Sequence, residues 1–107
     1  MKTAFVTGGS RGIGSAIALA LGKTFHVVVG FANSEDKAND VVKEIVAAGG
    51  SASTVQIDIS DAESVDNAFT RIEKEHNSVD VLINNAGVTK DNILPRMKED
   101  EWLEVIQ

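Results

Sequence analysis

Two kinds of apolar pattern alternate along this chain. Ala4-Phe5-Val6, Val27-Val28-Val29 and Val81-Leu82-Ile83 are apolar on successive positions, as in a strand buried on both faces. Between these runs the apolar positions recur at helical spacing. Ile13, Ile17 and Leu21, flanked by Ala16 and Ala20, predict a helix that Gly22 ends. Ala38, Val41, Val42, Ile45 and Val46 predict a second helix, with Ser34 as N-cap, Glu35 and Asp36 in the first turn, and Gly49-Gly50 as the stop. Val65, Ala68, Phe69, Ile72 and His76 share one face of a third, opened by Ser60-Asp61-Ala62-Glu63, which reads as a capping box with Ser60 at the N-cap. Val55, Ile57 and Ile59 alternate within a strand over 53–59, and the other strands are expected over 2–7, 25–30 and 79–84. A looser stretch, 88–97, holds the single proline, Pro95. From Lys98 another helix is expected, with Trp102, Val105 and Ile106 apolar.

The order β-α-β-α-β-α-β-loop-α predicts an α/β fold with a Rossmann-type, doubly wound parallel sheet. For a dinucleotide fold the strand order is 3-2-1-4, here an incomplete sheet of about four strands. A length of 107 residues suits one small domain. Because the chain stops inside an amphipathic helix, residues 1–107 are expected to be the N-terminal portion of a single domain. The apolar fourth strand would then have an open edge, which predicts association of the isolated chain.

Composition narrows the function. The net charge is −6, from 16 acidic and 10 basic side chains, which argues against nucleic-acid binding over a basic surface. No stretch approaches the ~20 apolar residues of a membrane span, and the N-terminus lacks the pattern of a secretory signal, so a cytoplasmic setting is expected. With no cysteine, disulfides, thiolate metal sites and cysteine catalysis are out. His26 and His76 stand in no metal-binding pattern, and no metal site is expected. His76, at a helix end, reads as a partner for the helix dipole.

Candidate chemistry lies in Thr7-Gly8-Gly9-Ser10-Arg11-Gly12-Ile13-Gly14, between the first strand and the first helix. A glycine turn there lets the backbone approach a ligand closely and presents the positive end of a helix to a phosphate. Glycines alone also describe an ordinary tight turn. Gly22-Lys23-Thr24 resembles the end of a P-loop, but Ile17 stands where that motif needs glycine, and the lysine follows a helix instead of opening one.

Further marks fall in order at the ends of later strands: Asp58 after the third, and Asn84-Asn85-Ala86-Gly87 after the fourth. Together with Thr7-Gly8-x-x-x-Gly12-Ile13-Gly14, these make the chain resemble a short-chain dehydrogenase/reductase. The stretch from Asn85 through Val88-Thr89-Lys90-Asp91-Asn92, then Arg96-Met97-Lys98 and Glu101-Trp102, resembles one branch, the 3-oxoacyl-[acyl carrier protein] reductases of fatty-acid synthesis. The similarity covers the first half or so of such an enzyme. It implies that Gly8, Gly9, Ser10, Arg11 and Ile13 line a pyrophosphate and adenosine ribose. Asp58 and Ile59 would meet the adenine, and Asn85, Ala86 and Gly87 the floor beside the two riboses. Asp58 also reads as a turn-forming carboxylate, and Asn84 and Asn85 as bridges between neighbouring backbones.

The residue types also speak to the cofactor. An NAD enzyme of this fold places an acid about 20 residues after the glycines, to bond the ribose 2′-hydroxyl. Here Gly30-Phe31-Ala32-Asn33-Ser34 offers none before Glu35. Arg11 supplies a charge suited to a 2′-phosphate, and Asn33 and Ser34 add neutral donors. NADP is therefore the expected cofactor.

The resemblance also implies what is missing. The family reduces a ketone with a tyrosine as proton donor, a lysine that lowers that tyrosine's pKa, and a serine that holds the carbonyl. The chain has no tyrosine, no catalytic residue is assigned, and no turnover is expected of it alone. For the full-length protein the resemblance implies an acyl carrier protein thioester as substrate and a homo-oligomer, a tetramer. Alternatives are another short-chain reductase, such as one acting on acetoacetyl-CoA, and a non-catalytic NADP-binding module. Lys90, Arg96 and Lys98 read as carrier-docking groups or as plain solvated charges.

Overall fold

In the computed structural model, residues 1–87 are described in full and 102–104 as backbone. The continuous apolar runs form the centre of a parallel sheet. Strands β1 (Thr3–Thr7), β2 (His26–Phe31), β3 (Ser51–Gln56) and β4 (Val81–Asn84) alternate with helices α1 (Gly12–Leu21), α2 (Glu35–Ala47) and α3 (Ala62–His76). The expected order holds, with β1 between β2 and β4 and with β3 outside β2. In register, Phe5 stands beside Val28 and Leu82, and Val6 beside Val29 and Ile83.

Alternation along the strands sends these residues to two cores. Phe5, Val28, Val55 and Leu82 pack with Val65, Ala68, Phe69 and Ile72 of α3. There the Phe5 and Phe69 rings meet edge to face, 5.4 Å apart. Val6, Val27, Val29 and Ile83 pack on the other face with α1 and α2. The sheet is thus doubly wound, as its apolar runs require.

The structure corrects several expectations. Trp102–Glu104, expected in a helix, is instead a short strand, β5, parallel to β4. The pairs Leu82↔Trp102, Ile83↔Leu103 and Asn84↔Glu104 occupy the edge expected to be open and make the sheet five-stranded, in order β3-β2-β1-β4-β5. An unpaired row of N–H and C=O groups on an apolar strand is a strong template, and it outweighs a weak local helical pattern. The rest of the helix expected from Lys98, and the readings of Lys90 and Arg96, lie outside the described residues.

The most buried line of α1 runs beside the expected stripe, of which Ile17 and Leu21 still pack against the core. Gly14, Ala18 and Gly22 are innermost, Ile17 and Leu21 are half-buried, Ala16 and Ala20 are exposed, and Ile13 is 49% exposed. Close approach sets this orientation: a Cβ on Gly22 would come 2.7 Å from the Ile45 side chain. On α2, Ala38, Val41 and Ile45 are buried while Val46 is exposed. β3 covers 51–56 instead of 53–59, so Asp58 lies in the loop beyond the strand and not at its end.

Candidate functional site

The loops that follow the carboxyl ends of β1, β2, β3 and β4 carry the expected site residues. In a parallel α/β sheet this is the end where ligands bind. The first loop reverses direction through Gly8, whose φ of +65° suits glycine. Gly9 N–H donates to Gly30 O of β2 at 3.1 Å, anchoring the turn to the sheet. Arg11 holds the N-cap position of α1 in extended conformation, with no side-chain cap bond. The start of α1 thus carries no N-cap side-chain bond, and no acid stands in its first turn. Ile13, an apolar side chain half in solvent, sits at this same helix start.

The fourth loop is tied to the first. Asn85 Nδ2 donates to Gly8 O at 3.1 Å. Thr7 Oγ1 accepts from Ala86 N–H at 3.1 Å and reaches Ile83 O at 3.3 Å and Asn84 Oδ1 at 3.4 Å. Gly14 closes the joint: a Cβ there would run into Gly8 O and come 2.6 Å from Asn85 Nδ2. The bridging role read for Asn85 is what this geometry shows, and Thr7 is a linking residue that the glycine motif contained without assigning. Gly87 is exposed, with φ +81°.

At the end of β2, Arg11 Nη2 donates to Ser34 Oγ at 2.7 Å. Ser34 has the N-cap position of α2 as expected, yet its side chain makes no cap bond. Its ψ of 66° departs from the extended cap geometry, and the guanidinium is a charged donor that takes the hydroxyl instead. Neighbouring Asn33 is exposed. Gln56 Nε2 donates to Ala32 O at 3.1 Å and pins this loop to the end of β3, a contact that nothing in the local sequence announces.

Asp58 sits in a turn of its own making. Its Oδ1 accepts from Ser60 Oγ at 2.6 Å and from Ser60 N–H at 3.0 Å, and its N–H donates to Ser64 Oγ at 2.9 Å. The Ser60 hydroxyl bond first, and the Ser60 backbone bond second, hold this exposed carboxyl below the usual aspartate range. It therefore stays an ionised acceptor at neutral pH. These bonds overturn the capping box, because Ser60 is spent on Asp58. Asp61 caps α3, accepting from Glu63 N–H at 3.0 Å. Ile59 is half-buried against the core on the α3 side. Asn33, Asp58, Gln56, Asp61, Ser64 and Ala32 surround an open hollow of about 430 Å³.

The fold thus brings together the glycine turn, Arg11 and Ser34 on one side, and ties Asn85 and Ala86 to that turn on the other. Ser10, half-buried beside the exposed Arg11, takes no part in these ties. Among the described residues no group of acidic, histidine or cysteine side chains could hold a metal ion, and no helix there is long and apolar enough to cross a membrane.

A loop set of this kind has known counterparts. The family model of short chain dehydrogenases matches residues 2–107. The chain belongs to the short-chain dehydrogenase family. Among curated relatives, the 3-oxoacyl-[acyl-carrier-protein] reductase FabG of Staphylococcus epidermidis is 48% identical over 106 residues, which are 98% of this chain and 43% of that protein. A metagenomic short-chain oxidoreductase solved in complex with NADP superposes with a TM-score of 0.76 at 43% identity, over 81% of this chain and 39% of that one. A short chain dehydrogenase from Burkholderia cenocepacia, also in complex with NADP, gives 0.74 at 39% identity, over 94% and 41%. The chain therefore spans less than half the length of the relatives it matches.

Proposed function

We propose that this chain is the NADP(H)-binding portion of a 3-oxoacyl-[acyl carrier protein] reductase, the N-terminal part of one dinucleotide-binding domain. The observation that carries the cofactor reading is the Arg11–Ser34 contact of 2.7 Å at the end of β2, in a loop without an acid before Glu35. A carboxylate there would accept from a ribose 2′-hydroxyl and repel a 2′-phosphate, whereas a guanidinium with a hydroxyl beside it suits the phosphate. The residues fit the cofactor in other respects. Gly8, Gly9, Ser10 and the start of α1 would take the pyrophosphate, with Ile13 as an apolar wall. Arg11, Asn33 and Ser34 would hold the 2′-phosphate. Asp58, kept ionised by Ser60, would accept from the adenine amine, with Ile59 beside it. Asn85, Ala86 and Gly87 would form the floor toward the nicotinamide.

The reduced nicotinamide supplies a hydride. In this reading the full-length enzyme, a cytoplasmic homo-oligomer, uses it to reduce 3-oxoacyl thioesters to 3-hydroxyacyl thioesters. The 48% identity to the S. epidermidis reductase supports that substrate class over other short-chain reductases. With no tyrosine in its 107 residues, no turnover is expected of the chain by itself.

The test is fluorescence titration of the chain with NADPH and with NADH. A charge-assisted contact is worth about 1.5–3 kcal/mol, so Arg11→Ala is expected to weaken NADPH by roughly 10- to 100-fold while changing NADH little. Equal loss for both would overturn the 2′-phosphate assignment.

A further inference from the structure

The end of the sheet opposite the glycine turn holds a cluster that the cofactor reading does not use. His26 opens β2, with Thr3 of β1 and Ser51 of β3 as its register neighbours. Its Nδ1 lies 2.6 Å from Ser51 Oγ and its Nε2 3.0 Å from Ser53 Oγ. Both hydroxyls come from β3, the outermost strand on that side. His76, the last residue of α3, lays its ring against that of His26, with centroids 4.1 Å apart and planes at 31°. His76 Nε2 is buried and has no hydrogen-bond partner among the described residues. His76 also lines a cavity of about 10 Å³ with Ser53, Arg71 and Glu75, which is room for about one water molecule.

This arrangement suits a neutral His26. A neutral imidazole has one donor and one acceptor nitrogen, and a hydroxyl serves either, so Ser51 and Ser53 satisfy both tautomers. A proton would put a cation in a half-buried place, against the tilted ring of a second imidazole. The groups around it compensate little. β1 and β3 contribute Thr3, Ser51 and Ser53, which do not titrate. On α3, Glu75 favours the cation, but Arg71 already holds it at 3.0 Å. Burial first, then His76, push the His26 pKa below the ordinary histidine value, with Glu75 opposing.

We propose that the stacked histidines are an acid-sensitive latch, which fastens the end of α3 to the starts of β2 and β3 while His26 is neutral and loosens it when His26 takes up a proton. The direction follows from linkage. A base whose pKa is lowered on folding binds its proton more readily when unfolded. Its contribution to stability is therefore complete above the unfolded value of about 6.5 and is lost as the pH falls below it, until the lower folded value is reached.

The experiment is an NMR titration of the histidine ring protons in the full chain, with amide exchange of residues 72–77 at pH 7.5 and 5.5 corrected for intrinsic rates. The His26 midpoint is expected below 6.5. Opening of the last turn of α3 is expected to rise several-fold at the lower pH, bounded at about tenfold per pH unit for one proton. In His26→Gln, which keeps a donor and an acceptor for the serines, the rise should vanish. In His76→Phe, which keeps a stacked ring without a second imidazole, the His26 midpoint should move up toward 6.5. A wild-type midpoint at or above 6.5, or the same rise in His26→Gln, overturns the latch. The wild-type midpoint decides the matter even where a variant fails to fold.

Discussion

At the scale of single residues, the site is governed by which partner wins a shared group. Ser34 and Ser60 both stand where a hydroxyl could cap a helix, and neither does so through its side chain: Arg11 takes one and Asp58 the other. Local sequence marks such serines as polar and turn-forming, but the competing donor or acceptor comes from a fold contact or a nearby turn. Gly14 is the sharper case. Its Cβ-free surface lies against Gly8 O and Asn85 Nδ2, joining the first loop to the fourth. Gly14→Ala is expected to destabilise the chain by about 1–3 kcal/mol through overpacking and to weaken NADPH and NADH equally, because it moves the glycine turn common to both. Urea denaturation and cofactor titration check this. Unchanged stability would mean that the joint relaxes without cost.

At the scale of elements, hydrophobic period predicted each of the three helices and the four principal strands. On α1 it was right in part: Ile17 and Leu21 pack against the core as expected, but the fully buried positions lie beside them and Ile13 does not join them. Volume decides there: Gly14 lies against Gly8 and Asn85 and Gly22 against Ile45 because glycine permits it, while Ile13 is left half in solvent at the start of the helix. α3 is the opposite case, since its apolar stripe is also its buried face. Phe69, fully buried and edge-on to Phe5, is the centre of that contact. Phe69→Ala is expected to cost about 3–5 kcal/mol, a large share of what a domain of this size has to lose. Thermal unfolding with a loss well below that range would show that α3 can close over the space.

At the scale of the whole molecule, the outer strand matters most. β5 pairs with β4 through only Trp102–Glu104, yet it covers the strand that would otherwise present an apolar edge. Proline cannot donate to a ladder and is tolerated poorly between paired positions. Leu103→Pro is therefore expected to detach β5 and to increase self-association relative to the unaltered chain in sedimentation velocity over a range of concentrations. Identical sedimentation would show that β5 does not guard that edge.

By itself the sequence determined the alternation of strands and helices, the sheet order, the glycine turn between β1 and α1 and the lack of an acid before Glu35. These rest on local period, on glycine's permissive backbone and on charge, all properties of neighbouring residues. Only the tertiary structure decided the contacts between distant segments: Asn85 on Gly8, Gln56 on Ala32, β5 on β4, and the ring of His76 against that of His26. Each depends on chain crossovers that bring remote positions within a few ångströms, and the geometry of close packing, not the identity of either residue alone, sets which atoms meet.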